Sequence, residues 1–361
     1  MRVQTALTVL ADLDGTLLPR PFGSGGAVFH PSLSQGPAFE PLCRLLSLGA
    51  VVVGITGSRL STHQHRFFEE LPLEHRRAGR VLLSTGTGRK LYRGSEDLGL
   101  PVEDVHFSSF LTSKVRPALE PSMIESLIEV GRAGILRFYN DLRRTPGLVD
   151  RDGPLGYLHD ATAEEVPISQ DGNCVPRIEI REEGSAVVFV GVPSSLGSQY
   201  FEVPPALAHA VDGRPTGRVC FDCVPKGLDK SLVVSHLLCE GVLVPGRTVA
   251  LGDQPAGNDE GLTRWHHGGA PGVDIPFVSV SERKSMVPER LQDCHLTVAS
   301  NAEGSAILLD KLAEQLATDA ELHLSSLTVC TMVDHLNGQR PPCSGEMINS
   351  SAAASQSTHT K

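Results

Sequence analysis

Long hydrophobic runs are missing from these 361 residues. No apolar stretch approaches the ~20 residues of a membrane span, and the N-terminus enters a strand-like run without a secretory signal pattern. A membrane is therefore not expected as a partner, and the expected location is cytoplasmic. Excess positive charge is also missing: 32 Lys and Arg stand against 42 Asp and Glu, a formal net charge of −10. That balance argues against nucleic acid or an anionic membrane surface, so an anionic substrate would need a local pocket of Arg, Lys and metal. Eight Cys are present, but without disulfide-framework or zinc spacing, which predicts reduced thiols. Cys220-Phe221-Asp222-Cys223 looks like a redox motif, yet it reads as a strand, whose period of two puts the sulfurs on opposite faces. The chain is long enough for a large core and more than one domain.

The most informative junction is Thr8-Val9-Leu10-Ala11 running into Asp12-Leu13-Asp14-Gly15-Thr16. The apolar run predicts a buried strand that Gly15 ends. Two carboxylates at a strand's carboxyl end suit a crevice that holds a cation and a phosphate. Asp12 could attack phosphorus, and Asp14 could move the proton on the far side. A second buried strand, Val51 to Ile55, ends in Thr56-Gly57-Ser58, where a hydroxyl and free N–H groups can hold phosphate oxygens. Lys230, just ahead of a helix-patterned stretch, can neutralise a phosphoryl group and its attacking Asp together. Thr248 to Gly252 is a third strand, ending in Asp253 and followed by Gly257-Asn258-Asp259. In this order the four segments resemble the motifs of the haloacid dehalogenase superfamily of phosphohydrolases and phosphotransferases.

Helix and strand signals alternate to about residue 88 and resume near residue 225, predicting an α/β fold with a doubly wound parallel-sheet core at 1–88 and 225–318. Residues 89–224 are read as an inserted α+β cap, with an amphipathic helix over Pro121 to Leu142, a Pro- and Gly-rich loop insertion at about 144–173, and strands at Arg177 to Arg181, Ala186 to Val192 and Arg218 to Val224. Residues 319–361 form a C-terminal extension, expected to be disordered from about 345.

The run Val219 to Lys230, with Ile178-Glu179-Ile180-Arg181, Arg20 and Gly257-Asn258-Asp259, is similar to eukaryotic-type phosphomannomutases, in register over roughly residues 5–280. The resemblance implies interconversion of mannose 6-phosphate and mannose 1-phosphate for GDP-mannose synthesis, by an isomerase working through an aspartyl-phosphate and a hexose bisphosphate. It further implies Asp12 as nucleophile, Asp14 as acid/base, and Mg²⁺ held by Asp12, Asp253 and the Asp14 main-chain carbonyl, a donor set suited to a hard cation. Arg20, Arg181 and Asp222 would contact the sugar phosphate, and the family associates as dimers through the cap. Thr56 and Ser58 are phosphate-contact candidates from the turn itself. Arg177 shares a strand face with Arg181, which makes a phosphate clamp or a solvated outer face. The chain departs from the family in four places: its cap lacks a further Arg near Gly191 to Ser195, Cys220 replaces a Ser, Leu228 replaces a Trp, and the loop from Asp253 to Asn258 is two residues shorter. Two alternatives to the mutase stand, a sugar-phosphate phosphatase with the same acids and water as acceptor, and a non-catalytic interaction module.

Overall fold

The computed structural model describes residues 7–20, 30–161, 165–169, 175–181, 184–268, 273–282, 284–319 and 322–338. The expected C-terminal disorder from about 345 and part of the 144–173 insertion lie outside them.

Eleven strands form two sheets among the described residues. The larger has seven, in the order β11-β10-β1-β2-β3-β4-β5. Its strands are β1 (Thr8–Asp12), β2 (Val51–Ile55), β3 (Val81–Thr85), β4 (Lys90–Gly94), β5 (Pro101–Glu103), β10 (Thr248–Gly252) and β11 (Phe277–Ser279). The five from β11 to β3 run parallel. They are mostly apolar and buried along their whole length, as parallel strands covered by helices must be. On one face Val9, Ala11, Val52, Val249 and Leu251 pack with the helices Phe39–Ser47, Asn301–Thr318 and Ser326–Gly338. On the other, Leu10, Val53, Leu82 and Ala250 meet the helices Val105–Lys114 and Ser231–Cys239.

β1 pairs with β2 on one side and with β10 on the other, so the chain winds outward in both directions from the β1/β10 boundary. A crevice opens there beyond the carboxyl ends of the strands, the usual ligand position in such sheets. Asp12 and Asp253 stand at that boundary.

The second sheet, of order β6-β7-β9-β8, is antiparallel: β6 (Arg177–Ile180), β7 (Val187–Val190), β8 (Val211–Thr216) and β9 (Cys220–Pro225). One face (Ile178, Val187, Phe189, Phe221, Cys223) buries against the long helix Pro121–Arg144 through Leu127, Ile135 and Phe138. The helix comes close because Gly131 faces the Phe189 ring, where a Cβ would lie 2.5 Å away. Cys223 is on this face and Cys220 on the other, as the strand period requires.

Two sequence expectations need correction. Residues 90–103, assigned to the insertion, supply β4 and β5 as an antiparallel extension of the large sheet. The turn Gly86-Thr87-Gly88 reverses the chain in left-handed backbone, with φ of +60°, +60° and +89°, and a hairpin forms where a departure from the core was expected. The C-terminal extension, ahead of the region expected to be disordered, contributes a helix, Ser326–Gly338, whose Val329, Val333 and Leu336 enter the main core. The second correction is that Cys294 and Cys330 are disulfide-bonded, where reduced thiols were expected. They are 36 positions apart, and only the docking of that helix brings them together. No helix among the described residues is long and apolar enough to cross a membrane.

Candidate active site

Asp12 is the last residue of β1 and is 5% exposed. Lys230, which has no exposed surface, precedes the helix Ser231–Cys239 and projects into the crevice. Asp229 starts that helix by accepting the Ser231 N–H at 2.7 Å. Lys230 Nζ lies 2.5 Å from Asp12 Oδ1 and 2.7 Å from Asp259 Oδ1. Asp259, fully buried, also accepts the Gln254 N–H at 2.9 Å, which ties the loop after β10 to the site. Asp253 follows β10 and pairs with Arg20 at 2.7 Å, and Arg20 reaches Glu282 as well.

One oxygen each from Asp12, Asp253 and Asp259 lies within 4.8 Å of the others, all three residues buried. Burial, with the neighbouring carboxylates, pushes Asp253 up to about 6 and raises Asp12, against the pull of Lys230. Asp12 and Asp259 in turn hold Lys230 firmly protonated, outweighing the burial that would lower it. Three buried carboxylates against one lysine and one arginine form an oxygen-rich set that favours a hard divalent cation. Asp12, Asp253 and Asp259 fit Mg²⁺.

Asp14, one turn residue beyond, sits in different surroundings. His63 Nε2 lies 3.0 Å from Asp14 Oδ2, and Arg66 Nη2 lies 3.4 Å from Oδ1. Burial alone would raise this carboxyl, but His63 and Arg66 together hold it well below the usual carboxylate range. Both partners come from the segment after β2, where a short α-turn (Leu60–His63) passes into one π-turn (Gln64–Phe68). Thr56 follows β2 with its hydroxyl 3.2 Å from His63 Nε2, and it accepts the Ser58 N–H at 3.0 Å.

The residues expected from the second sheet are divided. Arg181 reaches the site: a Cβ on Gly57 would lie 3.2 Å from its Nη1, and it lines a small pocket with Ser58, Arg59, Arg89 and Lys90. Arg177 is buried and ion-paired with Glu179. Asp222 is buried and accepts the Thr216 hydroxyl at 2.7 Å. Asp12, Asp14, Thr56, Ser58, Lys230, Asp253 and Arg20 all gather at the carboxyl ends of β1, β2 and β10. Sequence reasoning missed Asp259, although Gly257-Asn258-Asp259 carried the signal, and it missed His63 and Arg66. These two lie one helical turn apart after the Thr56 turn, a spacing that places them on one face.

No protein-family model matches the chain, and no curated protein matches it by sequence. Among solved structures it is similar to SMU.1108c from Streptococcus mutans UA159, with 16% identity and a TM-score of 0.50 over 86% of this chain and 98% of that one. The sucrose-phosphatase from Synechocystis sp. PCC6803, in complex with sucrose and phosphate, superposes with a TM-score of 0.46 at 17% identity, over 89% of this chain and 100% of that one. For yhjK, a haloacid dehalogenase-like hydrolase protein from Bacillus subtilis, the TM-score is 0.42 at 14% identity, over 85% of this chain and 92% of that one. Likeness at such identities describes the fold. With the strand order above, that fold is an α/β core built on a mostly parallel seven-stranded sheet and accompanied by a second, antiparallel sheet.

Proposed function

We propose that the protein is a Mg²⁺-dependent phosphoryl-transfer enzyme acting on a small phosphate ester such as a sugar phosphate, with hydrolysis as the outcome. The observation that carries the reading is Asp12 held 2.5 Å from buried Lys230 while Asp14, two residues on, is held by His63 and Arg66. These are two carboxylates in two environments, which is what separate nucleophilic and acid/base roles require.

In this reading Asp12 attacks phosphorus as the P–O bond to the substrate oxygen breaks. Asp14, ionised in the free site, takes up the proton that a monoanionic phosphate ester carries in and delivers it to that oxygen, and the alcohol leaves. Asp14, now ionised, takes a proton from water as its oxygen attacks phosphorus, which releases inorganic phosphate and frees Asp12. Lys230, the Thr56 hydroxyl and the Ser58 N–H would bear on the phosphoryl oxygens as charge develops there. A bound Mg²⁺ would supply further neutralisation of the phosphoryl group. Arg181 would reach over the leaving group from the second sheet.

The mutase is a second reading, favoured by Arg181 at the Gly57 turn. It also needs a grip on the second phosphate, and Arg177 and Asp222 are engaged with Glu179 and Thr216. The test is one tube: purified protein, Mg²⁺, mannose 1-phosphate and a trace of hexose 1,6-bisphosphate, with free phosphate and mannose 6-phosphate followed together. Phosphate release, abolished in Asp12→Asn without loss of folding, is the expected result. Accumulation of mannose 6-phosphate without free phosphate replaces hydrolase by mutase, and an active Asp12→Asn variant removes both. Size-exclusion chromatography with light scattering tests the homodimer that the resemblance implies.

A further inference from the structure

His236, on the helix Ser231–Cys239, is 4% exposed, and its Nε2 is buried with no hydrogen-bond partner among the described residues. Phe107 and Phe110 flank the ring, each with its centroid 5.2 Å away. An unmet buried polar atom is costly, and an apolar side chain would fill this space beside two phenyl rings without that cost. The imidazole nitrogen faces Asp104 Oδ2 and Glu240 Oε1, each 3.9 Å away. That distance is too long for a hydrogen bond. Glu240 follows His236 by four positions, so the two share one helical face. Asp104 comes from another element: it follows β5 and caps the helix Val105–Lys114, where its Oδ1 accepts the His106 and Phe107 N–H groups. Arg93, on β4, already serves both carboxylates, with Nε 2.7 Å from Asp104 Oδ2 and Nη2 3.2 Å from Glu240 Oε2. Two carboxylates against one guanidinium leave a negative charge unbalanced beside an unfilled nitrogen.

We propose that Asp104, His236 and Glu240 form a second metal site, apart from the three carboxylates of the crevice, that takes a divalent cation of the zinc class. One donor atom from each already lies within 4.8 Å of the others. An imidazole with two carboxylates suits Zn²⁺, whereas Mg²⁺ selects oxygen donors alone. Zinc bonds nitrogen and carboxylate oxygen at about 2.0–2.2 Å, which sets tetrahedral donors about 3.4 Å apart. Small side-chain rotations supply that contraction. Asp104 Oδ2 has a second lone pair to offer the ion while it accepts from Arg93, and Glu240 keeps Oε2 for Arg93 as Oε1 turns to the ion. Glu240 is exposed, which gives the ion a path in and leaves room for water as the fourth ligand. The site's role is structural: the ion would fasten the β4–β5 hairpin to the helix that begins just after Lys230.

The test is a zinc titration of wild type, His236→Phe and Glu240→Gln in excess Mg²⁺, followed by equilibrium dialysis and by melting temperature. Wild type is expected to bind one Zn²⁺ more than His236→Phe, which keeps the ring packing and loses the ligand. With zinc 100-fold above its Kd, wild type should melt about 5 °C higher than without it, and His236→Phe should lose that shift. Glu240→Gln, an exposed substitution, should weaken the extra equivalent by more than about 10-fold, the loss expected when even an outer partner of a metal ligand is removed. Should His236→Phe fail to fold, Glu240→Gln decides the question. Equal zinc stoichiometry and affinity in wild type and the variants overturns the proposal, and so does a wild type that binds no zinc. A melting shift that Mg²⁺ alone reproduces in full overturns it as well. None of these outcomes bears on the phosphoryl-transfer reading, which rests on other residues.

Discussion

Replacing Lys230 by Met keeps most of the side-chain volume and removes the charge, which makes it the most direct probe of the site's electrostatics. Nζ is within 2.5 and 2.7 Å of two carboxylate oxygens, and neither Lys230 nor Asp259 has exposed surface. At an effective dielectric of about 20, each contact is worth roughly 6 kcal/mol of Coulomb energy. Desolvation offsets much of this in the intact pair, but removing one partner leaves the other uncompensated, at a cost of about 3–5 kcal/mol. In Lys230→Met that cost falls on Asp12 and Asp259 together, with Asp253 alongside. Urea unfolding at pH 7 without divalent metal is expected to show a loss of about 3–5 kcal/mol. The double variant Lys230→Met/Asp259→Asn should recover at least about 1 kcal/mol of it, because one orphaned charge has gone. A single variant within about 1 kcal/mol of wild type would refute the reasoning, and so would a double variant less stable than the single.

Three further outcomes are expected. Gly15 has φ +88°, and a Cβ there would lie 2.8 Å from Asp253 Oδ2; Gly15→Ala should cost about 1–3 kcal/mol in strain and displace a metal-site carboxylate, read as a lower melting temperature together with a loss of kcat/KM. Cys330→Ser opens the disulfide that ties the helix Ser326–Gly338 to Cys294. Closure of such a loop contributes about 4 kcal/mol, measured as the difference in unfolding free energy from the oxidised wild type, and reduction of the wild type should reproduce it. Burial, reinforced by His267, lowers His266 to about 4, and its Nδ1 accepts the Phe277 N–H. The folded state then excludes a proton that the unfolded chain takes up below about 6.5. Stability should fall as pH drops from about 6.5 toward 4, by about 2 kcal/mol from this residue, and the slope should flatten in His266→Asn.

The interface between local pattern and tertiary packing runs through particular residues. Asp12, Thr56 and Asp253 were legible because each is the polar residue that ends a continuous apolar run, and a buried parallel strand has to end in that way. The long helix Pro121–Arg144 was legible because its apolar residues recur at helical spacing. The C-terminal helix carried the same signal in Val329, Val333 and Leu336, but it lay beyond the last expected core element and was not read. β4 and β5 carried no such signal. They are partly exposed, and their membership of the large sheet depends on the hairpin turn at Gly86 to Gly88.

The sequence alone determined the inventory and its order: a strand with two carboxylates at its end, a hydroxyl turn, a lysine at the start of a helix, and a last strand with its acids. These are local, because strand ends and helix starts are written by neighbouring residues. Only the tertiary structure decided who meets whom. Lys230 touches Asp12 across 218 positions of chain, Asp259 joins them from the far side, and His63 turns inward to hold Asp14. It also decided that Arg177 and Asp222 bond within the second sheet while Arg181 reaches the core. Contacts of that range follow from how sheets and helices bury their apolar faces, and the periodicity of a single segment carries no record of its partner.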